Sequence, residues 1–177
     1  MSKATTLFPY DAMWREAGCA YRGLEDVRGD LKASAAGLAQ ADLDRDPGSA
    51  APSIAALLCH CGMAEISWIT KVWRKQAVPA AWREFYEAGM FRGAKSTPPR
   101  GVPVERIFAW LDAIREETRV WIMRNVTDRD LDRQIETPRG TATPRWILHH
   151  LIEHEAHHRG QITLLRRLFG KPAAESM

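Results

Sequence analysis

Apolar residues recur every three or four positions along most of the chain, and prolines and glycines cut that rhythm into four long helical segments and one short one. After Pro9 no proline occurs until Pro47, within the turn-rich stretch "DLDRDPGSAAPS". Ser53 then opens "SIAALLCHCGMAEISWITKVWRKQ", with Ile54, Leu57, Leu58, Cys61, Ile66 and Ile69 at helical spacing. "PAAWREFYEAGMFRG" reads as a short helix between Pro79 and Gly93, and "AKSTPPRGVP" as a loop. In "VERIFAWLDAIREETRVWIMRNV" the residues Ile107, Trp110, Leu111, Ile114, Trp121 and Ile122 trace the buried stripe of an amphipathic helix. "TDRDLDRQIETPRGTA" reads as a long irregular connection. Thr143 and Pro144 then supply an N-cap hydroxyl and a proline at the first helical position. That last helix is expected to run to Phe169, where Gly170 and Pro172 stop it. No segment alternates with period two for long enough to predict a strand, and no repeat is present.

The pattern predicts an all-α protein, a bundle of four long helices. The connection from 77 to 103, which holds the short helix, is long enough to cross the bundle end to end. The second and third long helices can therefore run parallel. A length of 177 residues suits a single domain spanning 1–177.

Composition narrows the class without naming a function. Hydrophobic residues make up 45% of the chain, an ordinary supply for a core. The net charge of +3 comes from 25 basic and 22 acidic residues that alternate along the chain, as in "REETRVWIMRNVTDRD". Such mixing predicts solvated helix faces and no nucleic-acid partner, which calls for a concentrated basic face. No run approaches the roughly 18 apolar residues of a membrane span, and "MSKATTLFPYDAMW" lacks the apolar core of a secretory signal. A cytoplasmic protein without a membrane partner is expected. Three cysteines, Cys19, Cys59 and Cys61, do not make a disulfide framework. Cys59, His60 and Cys61 point about 100° apart on a helix, so they cannot share one ion, and the two thiols read as small buried hydrophobes. Of seven tryptophans, all but Trp14 and Trp82 lie in or beside apolar helix faces and read mostly as core filling.

Candidate chemistry concentrates in "HHLIEHEAHHRGQ", residues 149–161, which holds five of the six histidines. A metal site, a proton-handling site and an imidazole-rich solvated face all compete as explanations. His150, His154 and His158 lie four apart, and residues at that spacing share a helix face, close enough for two imidazoles to take one ion. His157 is also within reach of His154, so the cluster leaves the ligand pair open, although His154 belongs to each combination. A catalytic metal needs about three protein ligands and an open position. His60 supplies a third imidazole if the second long helix packs beside the last; otherwise it reads as a core histidine bonded to a backbone carbonyl.

The stretch "HHLIEHEAHHRGQITLLRRLFG" resembles the C-terminal helix of the DinB-like, YfiT-like bundle family. Its members carry there a histidine pair four apart, followed by arginine, glycine and glutamine; His154, His158, Arg159, Gly160 and Gln161 match. "ETPRGTATPRWILHH" resembles the family's approach to that helix. His60, Glu65 and Trp68 match the pattern of its second helix, with glutamate five and an aromatic eight positions after the histidine. The likeness covers residues 50–75 and 130–170. It implies an up-down-down-up four-helix bundle, a homodimer, and a divalent metal on His60, His154 and His158. His150 is left as an outer partner or alternate ligand, and His157 as facing a neighbouring helix or a dimer partner. Gly160 suggests a close helix crossing beside the metal. Glu153 and Glu155 are expected to face solvent, with either able to orient an imidazole, and Glu65, about 140° around the helix from His60, is given no catalytic role.

Three neutral imidazoles leave a divalent ion's charge uncompensated, so it activates bound water or a bound thiol. Zinc or nickel is expected, although imidazole also suits iron and copper. Relatives include transferases and isomerases that use bacillithiol or mycothiol, so the resemblance implies thiol S-transfer with a low-molecular-weight thiol as cofactor. The alternatives are a hydrolase using metal-bound hydroxide and a metal-binding module without turnover. A pocket lined by some of Trp68, Trp73 and Trp110 favours an enzyme.

Overall fold

A computed structural model of the protein describes residues 14–48, 52–90 and 99–172. In chain order its α-helices are α1 (Arg15–Ala35), α2 (Gln40–Leu43), α3 (Ile54–Glu65), α4 (Arg83–Ala88), α5 (Val104–Asn125) and α6 (Pro144–Leu168). The bundle is formed by α1, α3, α5 and α6, and α4 is the short helix of the crossover between α3 and α5. Of the expected loop at 94–103, residues 94–98 lie outside the described residues.

Several helix ends form as local chemistry requires. Ser53 Oγ accepts from the Ala56 amide at 3.3 Å and Thr143 Oγ1 from the Trp146 amide at 3.2 Å, each satisfying a donor that the helix itself cannot pair. Gly170, at φ 71°, follows the end of α6 in the left-handed region where glycine carries no Cβ penalty. The start of α1 is capped from a distance: Asp128 Oδ1 accepts from the amides of Glu16 and Ala17 at 2.9 and 3.1 Å.

Side-chain pairings fix the helix directions. Arg145 meets Glu16 near the starts of α6 and α1, and Arg166 reaches the Ser34 carbonyl near their ends, so these two are parallel. Arg28 bonds the Leu111 carbonyl while Arg115 bonds the Leu24 carbonyl, so α1 and α5 are antiparallel. Glu65 pairs with Arg115 and Trp73 packs on Trp121, so α3 and α5 run together. His60 faces His154 and His158 while Trp68 faces His150 and Trp146, so α3 and α6 oppose. The order is up-down-down-up, as the pattern and the resemblance predicted.

Two segments differ from the sequence reading. The second long helix is not α-helical throughout: from Ile66 to Trp73 it widens into π-helical turns, and Arg74 N bonds back five residues to Ile69 O at 2.9 Å. Lys75, at φ 56°, ends it. The connection before α6 holds a 3-10 turn at Asp128–Asp132 and a two-stranded antiparallel hairpin, β1 (Ile135–Thr137) with β2 (Gly140–Ala142), in register Ile135 to Ala142. Three-residue strands are too short to show period-two alternation, and only pairing reveals them.

The core is split into two apolar layers. One gathers residues such as Leu31, Leu58, Leu111 and Ile162; the other gathers Tyr21, Leu24, Ile122 and Leu151. Between them each long helix places one charged side chain: Arg28, Glu65, Arg115 and Glu155, exposed by 3%, 0%, 4% and 1%. The expectations that Glu155 faces solvent and that the "REETR" charges are all solvated are thereby corrected.

Gly160 is also corrected. It is exposed in mid-helix, and a Cβ placed there meets nothing within 4 Å, so no close crossing explains it. Gly160→Ala is expected to stabilise the protein by about 0.5–1 kcal/mol, since alanine loses less backbone freedom in a helix. A urea midpoint that does not rise would contradict this.

Candidate metal centre

His60 sits in α3 and His154 and His158 in the middle of α6, and the antiparallel packing of these helices brings the three rings together. His154 Nε2 lies 3.2 Å from His60 Nε2 and 3.3 Å from His158 Nε2. One ligand atom from each residue falls within 4.8 Å of the others.

Two of the rings are oriented by hydrogen bonds on their far side. His60 Nδ1 donates to the Gly89 carbonyl at 2.7 Å, and His158 Nδ1 donates to Gln161 Oε1 at 2.7 Å. A neutral imidazole carries one N–H, so each of these bonds leaves its Nε2 lone pair facing the cluster. Gly89 can come so close because it lacks a side chain: a Cβ there would collide with the Cys59 carbonyl. His154 Nδ1 is buried without a hydrogen-bond partner among the described residues.

The donor set suits a divalent cation. Metal–nitrogen bonds of about 2.0–2.1 Å at tetrahedral angles put ligand nitrogens about 3.3 Å apart, which the two spacings to His154 match. A proton on His154 Nε2 can serve one facing nitrogen only, whereas a cation serves all three. Burial lowers the pKa of each ring: His60 falls below its ordinary value, His158 falls to about 4, and His154, with His158 and His60 adding to the effect of burial, falls to about 3. All three are therefore neutral near pH 7, the form that binds metal.

The other candidates lie outside this cluster. His149 and His157 are exposed, the latter edge-on to His158 at 5.1 Å. His150 stacks on Trp146, ring centroids 4.7 Å apart. Glu153 is exposed. Cys59 and Cys61 are buried, and burial pushes the Cys59 thiol up to about 12 and Cys61 well above the ordinary thiol value, so both stay protonated. Cys19 is exposed on α1. Of the three tryptophans considered as pocket walls, Trp73 and Trp110 are core residues, while Trp68 is half-buried and lies 5.4 Å from His150. A cavity of about 620 Å³ opens elsewhere, along the seam of α1 and α5, and no histidine lines it. Its charged walls are already paired, Lys32 with Asp112 and Arg119 with Glu116.

Immediately behind the histidines stands the charged layer. Arg28 grips Glu155 with two bonds, 2.9 and 2.5 Å, and reaches Glu65 at 2.8 Å. Arg115 bonds Glu65 at 3.1 Å and Glu155 at 2.8 Å. Two cations and two carboxylates balance, and each arginine also donates to a backbone carbonyl. Glu155 follows His154 directly, and Glu65 begins the turn where α3 widens, so the layer clamps both histidine-bearing helices to the other two. Sequence reading missed this network. The available signal was charge in apolar register: Arg28 lies between Leu24 and Leu31, and Glu155 between Leu151 and Ile162, in the rhythm of buried positions.

A family model described as Mycothiol-S-transferase matches residues 21–170, a span that includes the three histidines and all four members of the charged layer. No curated protein matches the chain.

Proposed function

Since the chain belongs to the mycothiol-S-transferase family, we propose that it joins a small thiol, mycothiol first among them, through its sulfur to an electrophile at His60, His154 and His158. A divalent ion held by these imidazoles supplies the charge that keeps a bound thiol ionised near neutral pH. Three imidazole nitrogens would suit zinc or nickel. The residues of the chain hold and orient. Gly89 and Gln161 fix two imidazoles by their Nδ1 protons, an outer contact of the kind that tunes ligand basicity. In the transfer the sulfur forms a bond to carbon, the leaving group departs with its electron pair, and the thiol proton passes to solvent.

The observation that carries thiol transfer over hydrolysis is the state of the neighbouring carboxylates. Activating water calls for a positioned general base. Glu65 and Glu155, the buried carboxylates of the two histidine-bearing helices, are both held by arginines and shut off from solvent, and Glu153 is exposed. Cys59 and Cys61, beside His60 in sequence, are buried and stay protonated, and Cys19 lies exposed on α1 outside the histidine cluster, which favours an external thiol.

The test follows thiol consumption with metal-loaded protein, using mycothiol, bacillithiol and glutathione in parallel against a generic electrophile. Turnover is expected with mycothiol, to depend on metal, and to vanish in His154→Ala. Ester hydrolysis at full rate without thiol would overturn the reading in favour of a hydrolase. Stoichiometric metal with neither reaction would leave a binding module. A cytoplasmic homodimer completes the proposal. Among the described residues no helix is long and apolar enough to cross a membrane, and Leu164 and Leu168 expose 57% and 69% of their surface on one end of α6. Sedimentation at micromolar concentration showing a 20.0 kDa monomer would count against the dimer.

A further inference from the structure

The face of α6 that carries His158 and His154 continues through His150 and Trp146, four residues apart at each step. Trp146 and His150 stack with ring planes 6° apart, and Trp68, from the π-helical turns after α3, meets both edge-on at 5.1 and 5.4 Å. His150 in turn lies 5.8 Å from His154, ring centre to ring centre. Three aromatic rings thus make a wall that starts one ring away from the metal-binding cluster.

The wall opens to solvent at Trp146, while Trp68 and His150 are half-buried. Trp146 is 44% exposed, against 6% and 5% for Trp73 and Trp110 in the core. The core face of α6 at this level is already filled by Ile147, Leu148 and Leu151, so Trp146 is not required there. Elsewhere on the same π-helical turns the chemistry is polar: Ser67 Oγ meets the Tyr86 hydroxyl at 3.2 Å and Lys71 Nζ donates to the same hydroxyl at 3.1 Å. The wall carries no carboxylate or ammonium, and its flat rings favour stacked and edge-on partners.

We propose that Trp68, Trp146 and His150 form the subsite for the electrophilic co-substrate, and that this co-substrate is a planar aromatic molecule lying on the wall with its reacting carbon towards the triad. The chemistry rests on the thiol-transfer reading above; the binding does not. In the reaction the C–S bond forms at the ring carbon, the bond to the leaving group breaks, that group takes the electron pair, and the thiol proton goes to solvent.

Two measurements on metal-loaded protein separate the claims. Ligand-observed NMR with 1,3-dinitrobenzene, a planar ring without a leaving group, reads binding alone. Turnover of 1-chloro-2,4-dinitrobenzene against chloroacetamide, which share chloride as leaving group, reads selectivity. Trp146→Ala is expected to weaken dinitrobenzene binding about tenfold and to lower the aromatic-to-aliphatic ratio of kcat/KM by a similar factor, with Trp146→Phe recovering most of both. Metal content is checked in each variant, and Trp146→Leu, apolar but not planar, takes the place of the alanine variant if that one fails to fold. Wild-type protein that does not bind dinitrobenzene, or a Leu or Ala variant that binds it as well as Trp146→Phe, overturns the subsite. Binding that depends on Trp146 without turnover of either chloride overturns the thiol-transfer reading and leaves the subsite standing.

Discussion

His154→Ala is expected to bring metal content from one divalent ion per chain to near zero. His154 is the central ligand: its Nε2 lies within 3.3 Å of both other imidazoles, and without it His60 and His158 are left as a pair on different helices. His60→Ala should weaken binding strongly, and His149→Ala, at an exposed ring, should leave it intact. The loss extends to stability, because an ion that binds only the folded chain stabilises it by about 2.7 kcal/mol at a hundredfold excess over Kd. Chelation should therefore lower the Tm of wild type and leave that of His154→Ala unmoved. Elemental analysis of protein purified without added metal reads the first effect and thermal denaturation the second. Stoichiometric metal in the double variant of His60 and His154 would sink the assignment.

Glu155→Ala is expected to destabilise the fold by about 3–5 kcal/mol, because it leaves two buried guanidinium groups sharing one carboxylate. Native domains have only about 5–15 kcal/mol in hand, so a large part of the population unfolds at modest urea concentration. An unfolding free energy in urea within about 1 kcal/mol of wild type would show that solvent or rearrangement compensates the arginines. The same layer sets an acid limit. Burial by itself raises the pKa of Glu65, but Arg115 and Arg28 more than offset it and hold the carboxyl at about 2, below its ordinary value of 4.5. The folded pKa is the lower one, so this contribution to stability is full above pH 4.5 and is lost as pH falls through 2. Denaturation midpoints between those limits should decline more steeply in wild type than in Glu65→Gln, which has no carboxyl to protonate.

Much of the bundle was legible in the chain because helix formation is read locally. A rhythm of three and four marked α3, α5 and α6, a long proline-free run marked the first helix, Ser53 and Thr143 supplied caps, and Gly170 a stop, each through interactions within a few residues. The pairing of His154 with His158 is local in the same way, one helical turn apart. Adding His60 required the family pattern, since ligands on two helices converge only after packing.

What stayed hidden depends on contacts between distant residues. Asp128 caps α1 from across the fold, the hairpin of β1 and β2 exists only by pairing, and the π-helical turns after Glu65 suit packing against α6 and the hairpin. The same holds at the centre. In sequence Arg28, Glu65, Arg115 and Glu155 are ordinary charged residues on amphipathic helices; in the fold they are a neutral buried layer, because four helices meet at one height and each ion finds its partners there. The sequence alone determined that four amphipathic helices form and that a histidine pair shares one face, since both follow from the 3.6-residue period. Tertiary structure decided which charges are buried, which imidazole completes the triad and which tryptophan stays open beside it, because burial and convergence are properties of packed surfaces.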